Sequence, residues 1–230
     1  MDIILVPGLW LDADSWAPVL EPLREAGHTP RPLTLPGVGA PSSGSADLRL
    51  DDWIAAVVAA VDEAQGDVVL VGHSGGGNVI WGAVDARRDR VRRAVFVDTV
   101  PPPNGSGISE FPVVDGVIPF PGWDFFDASD VEDLDAPTRE AAARAARSAP
   151  ARIPTDPIAL ADPRRYDVPA TLLMGSLTQP ELEGYLEQWG SYGDEYRGIR
   201  DAEVVRIGSG HWPQYSAPER LAELLVAAVR

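Results

Sequence analysis

The sequence predicts an α/β fold, a mostly parallel sheet with helices on both faces. Three observations carry that reading. Short, continuously apolar runs recur at residues 3–6, 68–71 and 94–97, as in parallel strands buried on both faces. Stretches of helical length lie between them, apolar on one side. Glycine and proline punctuate the junctions. Strand and helix therefore alternate, and such alternation builds a parallel sheet covered on both faces.

The elements follow in order. The apolar run 3–6 ends at Pro7-Gly8, a strand and its turn. Ser15 is placed to cap a helix running to about Ala26, with Val19, Leu20 and Leu23 on one face, and Gly27-His28 stops it. Residues 30–35 form a strand interrupted by proline, and 36–46 a loop by composition. An amphipathic helix over 51–64 ends before Gly66; the central strand 68–71, a helix over 78–88 and a buried strand 94–97 follow. The alternation lapses over 101–165, which hold many prolines, most of the phenylalanines and an Ala/Arg helix near 138–149. It resumes with a strand at 171–174, a helical stretch near 180–197, a strand at 204–207 and a final helix from about Ala217. No internal repeat interrupts this plan. The simplest organisation is one domain over 1–230, with an insertion at about 101–165.

Composition removes several function classes. With 35 acidic against 19 basic residues the net charge is −16, which argues against partners bearing phosphate backbones or anionic membrane surfaces. All 19 basic residues are Arg, so lysine Schiff bases, Ser-Lys dyads and P-loops are excluded. The chain has no Cys, which excludes disulfides, thiolate metal sites and cysteine nucleophiles. No run of 18 apolar residues predicts a membrane span. The start MDIILVPGLW has no basic segment and reads as a strand rather than a leader, leaving a cytoplasmic location as the default expectation.

The strongest chemical signal is Gly72-His73-Ser74-Gly75-Gly76. It fits G-x-S-x-G where that motif has mechanical meaning, with an apolar strand running in and a helix running out. The glycines permit a sharp turn that exposes the Ser74 hydroxyl above the sheet. The N–H of Gly75, at a helix N-terminus, is then available to a developing oxyanion. A serine nucleophile needs a base, and the chain has three His. His28 follows a helix stop and reads as a surface residue. His73 adjoins the nucleophile, with a side chain expected to point away and pack. His211 follows the strand 204–207, on the carboxyl edge where α/β sites form, and is the expected base. Asp98 ends the strand 94–97 on that same edge, so the order Ser74, Asp98, His211 fits Ser…Asp/Glu…His. Glu181 is held in reserve as the acid, and a dyad with no acid remains open.

These pieces resemble the α/β-hydrolase superfamily over nearly the full chain, and more narrowly small bacterial esterases and the plant methylesterase and hydroxynitrile-lyase group. Carrying the resemblance are Val6-Pro7-Gly8-Leu9-Trp10 with Trp16, the Ser74 elbow, Phe96-Val97-Asp98 leading to Pro101, and Gly210-His211 leading to Pro218. The implied fold is an α/β-hydrolase with a small cap formed by 101–165. The resemblance also implies that Leu9 N–H is the second oxyanion donor, with Trp10 as the adjacent candidate. Two departures stand out. Pro7-Gly8 replaces the usual His-Gly, and no carboxylate follows the 171–174 strand, where most relatives carry the acid.

Phe111, Phe120, Trp123, Phe125 and Phe126 cluster in the insertion. Of these, Phe120, Trp123, Phe125 and Phe126, with Trp10 and Trp212, are the expected substrate-binding residues. The acidic run Asp124, Asp127, Asp130, Glu132, Asp133, Asp135 lacks Ca²⁺-loop spacing and reads as a solvated face. The expected function is a serine hydrolase acting on a small hydrophobic carboxylic ester through an acyl-enzyme on Ser74, needing no cofactor or metal. The alternative is a hydroxynitrile-lyase-like or other cofactor-free enzyme, with Arg152, Arg164 or Arg165 standing in for the lysine that lyases use. A non-catalytic ligand-binding protein is the third reading. Oligomeric state is left open.

Overall fold

The computed structural model describes residues 1–229. Strand β1 (Asp2–Val6) leads through a 3₁₀ turn (Ala13–Trp16) into α1 (Ala17–Glu25) and then β2 (Thr29–Pro32). Helices α2 (Ser42–Ser45) and α3 (Leu50–Glu63) precede β3 (Val68–His73), α4 (Gly76–Arg87) and β4 (Val91–Val97). The chain then leaves the sheet for β5 (Val117–Ile118), α5 (Ala128–Val131), α6 (Ala136–Ala145) and β6 (Ala149–Pro150). It returns with β7 (Ala170–Met174), α7 (Gln179–Gln188), α8 (Ser191–Gly198) and β8 (Ala202–Arg206), and finishes in α9 (Pro213–Ser216) and α10 (Pro218–Ala228).

The main sheet has six strands in the order β2-β1-β3-β4-β7-β8, every pair parallel. The period of two along each strand divides the core. Ile3, Leu5, Val69, Val71, Val95, Val97 and Leu173 face Val19 and Leu23 of α1 and Leu221 and Leu225 of α10. Ile4, Val6, Leu70, Phe96 and Leu172 face the opposite layer, with Trp53, Val57 and Val61 of α3 and Ile80, Trp81 and Val84 of α4. Apolar side chains on both faces explain why the strands read as unbroken hydrophobic runs.

Several local expectations are corrected. Ser15 does not cap α1: Asp12 caps the 3₁₀ turn by accepting from Asp14 N–H, and Ser15 Oγ donates to Asp12 O at 2.7 Å. The helical stretch near 180–197 is two helices, broken at Gly190, whose φ of 53° suits glycine. Strand β4 begins three residues before the apolar run, because Val91 pairs with Val68 and Arg93 with Val69, while exposed Arg92 is the extra residue of a bulge between them. The Ala/Arg helix lies at Ala136–Ala145, capped by Asp135. The loop 36–46 contains the single-turn helix α2.

A buried ionic cluster ties α8 to α4. Glu195 accepts from Arg165 Nε at 2.7 Å, Trp81 Nε1 at 2.8 Å and Tyr166 OH at 2.8 Å. Asp85 lies 3.6 Å from Arg165.

Candidate active site

Between β3 and α4 the chain turns so sharply that little but glycine fits. A Cβ on Gly72 would lie 2.5 Å from the Gly76 carbonyl oxygen, and one on Gly76 would lie 2.6 Å from that of Val6. Ser74, at the apex, takes left-handed backbone (φ 50°), and its N–H donates to Val97 O at 3.1 Å. Its hydroxyl thus stands above the carboxyl ends of β3 and β4.

His211, on the loop after β8, brings Nε2 to 2.9 Å from Ser74 Oγ. Its Nδ1 lies 2.6 Å from Asp98 Oδ2. Asp98 follows β4 in left-handed backbone (φ 47°), and its other oxygen accepts Gly175 N–H at 2.7 Å. Burial raises the Asp98 carboxyl, but the His211 hydrogen bond and charge and the Gly175 N–H outweigh it and hold the group below the usual carboxylate range. Position 175, at the start of the loop after β7, has no room for a side chain. A Cβ on Gly175 would lie 2.9 Å from Asp98 Oδ1 and 2.8 Å from Ser209 O. Glu181 is occupied elsewhere, capping α7 through Thr178.

His73 does more than pack. Its Nε2 lies 2.7 Å from the His211 carbonyl oxygen, which can only accept, so the proton is on Nε2. Burial, then the neighbouring His211, pushes its pKa down to about 3, so the ring is neutral. Sequence gave no hint of this bond, since the partner is a main-chain group 138 residues away.

The loop after β1 crosses beside Ser74, with Trp10 in left-handed backbone (φ 66°). A Cβ on Gly8 would lie 3.0 Å from Ser74 Cβ. The N–H groups of Leu9 and Gly75 have no hydrogen-bond partner among the described residues.

A cavity of about 360 Å³ opens on Ser74 and His211. Of the six aromatic residues expected to bind substrate, Trp10, Phe125 and Phe126 line it. Phe120, Trp123 and Trp212 do not. They stand behind, with Phe120 at 5.9 Å from Trp10, Trp123 at 5.1 Å from Trp212 and Trp212 at 4.8 Å from His211, ring centre to ring centre. Ile108, Phe111 and Tyr192 complete the apolar wall. Phe111 had the signal of its aromatic cluster, whereas Tyr192 arrives from α8 with none. None of Arg152, Arg164 and Arg165 lines this cavity. Arg164 pairs with Asp162, and Arg165 with Glu195. A larger groove of about 700 Å³ runs between α1 and α10 past Pro18, Pro22, Pro218 and Val226, but it holds no nucleophile.

The acidic run is not wholly a solvated face. Asp133 Oδ2 accepts Gly210 N–H at 2.6 Å, and the Asp130 carbonyl accepts His211 N–H at 2.9 Å. Among the described residues no group of three or more potential ligands is arranged to hold a metal ion, and no helix is long and apolar enough to cross a membrane.

A sequence profile described as "Alpha/beta hydrolase family" matches residues 3–224. The chain belongs to the alpha/beta hydrolase family. Over 109 residues this hydrolase is 33% identical to the carbendazim hydrolyzing esterase of Nocardioides sp. (strain SG-4G), a match spanning 46% of the chain and 45% of that protein. The chain thus matches under half the length of that relative. The hydrolase also superposes on an extracellular alpha/beta-hydrolase from a Paenibacillus species, described as sharing structural and functional homology with tobacco salicylic acid binding protein 2. The TM-score is 0.79 at 20% identity, covering 99% of this chain and 98% of that one. A methylesterase from Arabidopsis superposes with a TM-score of 0.73 at 19% identity, covering 100% and 98%. Likeness at these identities establishes the fold.

Proposed function

We propose that this hydrolase cleaves a small, hydrophobic carboxylic ester through an acyl-enzyme on Ser74. The observation that carries the proposal is the hydrogen-bonded series Ser74–His211–Asp98 opening on an aromatic-walled cavity. Ser74 Oγ attacks the ester carbonyl as His211 Nε2 takes its proton, while Asp98 holds the tautomer and stabilises the imidazolium. The free N–H groups of Leu9 and Gly75 bind the oxyanion. His211 then protonates the departing alcohol, and a water activated by the same nitrogen releases the acid. Trp10, Phe111, Phe125 and Phe126 hold the apolar part of the substrate, with residues of about 101–165 serving as cap. The relative named as a carbendazim hydrolyzing esterase accords with an ester-cleaving activity.

The test is hydrolysis of p-nitrophenyl acetate, butyrate and octanoate by wild type and Ser74→Ala. Turnover on at least one ester, lost in the variant, is expected, and the chain-length trend sizes the pocket. Equal rates for the two proteins would refute the proposal.

A further inference from the structure

We infer that Asp133 is a positioning residue for His211, tying the base to the segment that lines the substrate cavity. The inference rests on the esterase reading above for its kinetic readout and on geometry alone for its structure. Two consecutive N–H groups, of Gly210 and His211, are held by one short stretch of chain. Asp133 Oδ2 takes the first at 2.6 Å, and the Asp130 carbonyl takes the second at 2.9 Å. The approach is so close that position 210 excludes a side chain, because a Cβ there would overlap the Asp130 carbonyl oxygen and lie 2.6 Å from Asp133 Oδ1. On the other side of the same residue, His73 Nε2–H holds the His211 carbonyl. His211 is therefore gripped at its N–H by the insertion and at its C=O by β3, and its ring reaches Ser74 from between them.

The gripping stretch, Asp130 to Asp133, begins four residues after Phe126, which lines the cavity together with Phe125. Val131 and Leu134 anchor it by packing with Leu11 and Trp212. One rigid piece thus touches both the acyl pocket and the loop of the base. Asp133 itself is exposed and contributes only its carboxylate to this junction. Removing the carboxylate frees the Gly210 N–H while leaving the apolar anchor in place. The base loop then loses one of its fixed points, and small displacements of a reacting group are costly in rate.

The test compares Asp133→Ala and Asp133→Asn with wild type on p-nitrophenyl butyrate. Asp133→Ala is expected to lower kcat by about 10- to 100-fold with KM within about twofold. Asp133→Asn, whose amide oxygen can accept the same N–H, is expected to restore most of the loss. The downfield proton resonance of the His211–Asp98 bond, read by NMR without substrate, should broaden in the Ala variant and persist in the Asn variant. Unchanged kcat and an unchanged resonance in Asp133→Ala would overturn the inference. So would an equal loss in both variants. If wild type cleaves no ester, the esterase reading fails by itself, and the resonance still decides the role of Asp133.

Discussion

Asp98→Asn isolates the charge of the proposed acid from its shape. Asn tolerates left-handed backbone as well as Asp does, so φ 47° at this position adds no new strain. The two carboxylate oxygens each meet a donor, His211 Nδ1 at 2.6 Å and Gly175 N–H at 2.7 Å. An amide has one oxygen to offer. If it faces Gly175, its NH₂ meets Nδ1 and drives the His211 proton onto Nε2, where it blocks transfer from Ser74. If it faces His211, the tautomer is correct but NH₂ opposes Gly175 N–H, and a buried unpaired donor costs about 1–3 kcal/mol. The competent form is then diluted roughly 5- to 150-fold. Losing the charge-assisted bond to the imidazolium costs a further ~1.5–3 kcal/mol. The product is a fall of about 10² to 10⁴ in kcat/KM, whose upper end equals the drop of about 10⁴ for the corresponding substitution in a serine protease. The assay is p-nitrophenyl butyrate hydrolysis, with Ser74→Ala as the floor and a melting curve to verify folding. Activity within tenfold of wild type would refute the assignment of Asp98 as the acid.

Other perturbations are equally specific. Gly72→Ala forces a Cβ to within 2.5 Å of the Gly76 carbonyl oxygen; a loss above about 4 kcal/mol is expected, seen as insoluble protein or a collapsed urea midpoint. Glu195→Gln leaves Arg165 buried without its main counter-charge, at a cost of about 3 kcal/mol. The melting temperature should fall by roughly 6–12 °C, with Asp85 at 3.6 Å keeping the loss to the lower end. Acid should unfold the chain partly through His73, whose folded pKa of about 3 lies below its unfolded value of 6.5. The unfolded state binds the extra proton between those limits, so stability is full above 6.5 and is lost as pH falls through that window. Urea titrations should show a slope of up to about 1.4 kcal/mol per pH unit, flattened in His73→Gln.

The central strands were legible because the sheet is buried on both faces. Runs such as Val68–Val71 have no polar side to disguise them. Ser74 was legible because its turn demands glycine on both sides, and Asp98 and His211 because both fall at the carboxyl ends of strands. What escaped the sequence was relational. Nothing about His73 tells which carbonyl its ring will reach, and nothing about Asp133 separates it from the exposed acids beside it. Aromatic content announced an apolar mass over the site without saying which rings face the cavity, so Phe120, Trp123 and Trp212 were assigned to a wall they stand behind. Helix limits were blurred wherever a side chain other than the expected one supplied the cap, as Asp12 did in place of Ser15.

Four described non-glycine residues adopt left-handed backbone, Trp10, Ser74, Asp98 and Asp115. Three of them border the cavity. An engineer seeking thermostability would target such positions first, since glycine there relieves about 1 kcal/mol each. In this chain that rule is benign at exposed Asp115 and ruinous at the other three, where it would erase the proposed nucleophile, the proposed acid and a wall of the pocket. Selection for heat resistance alone would therefore enrich inert proteins, and a library screened for stability needs turnover as a second gate.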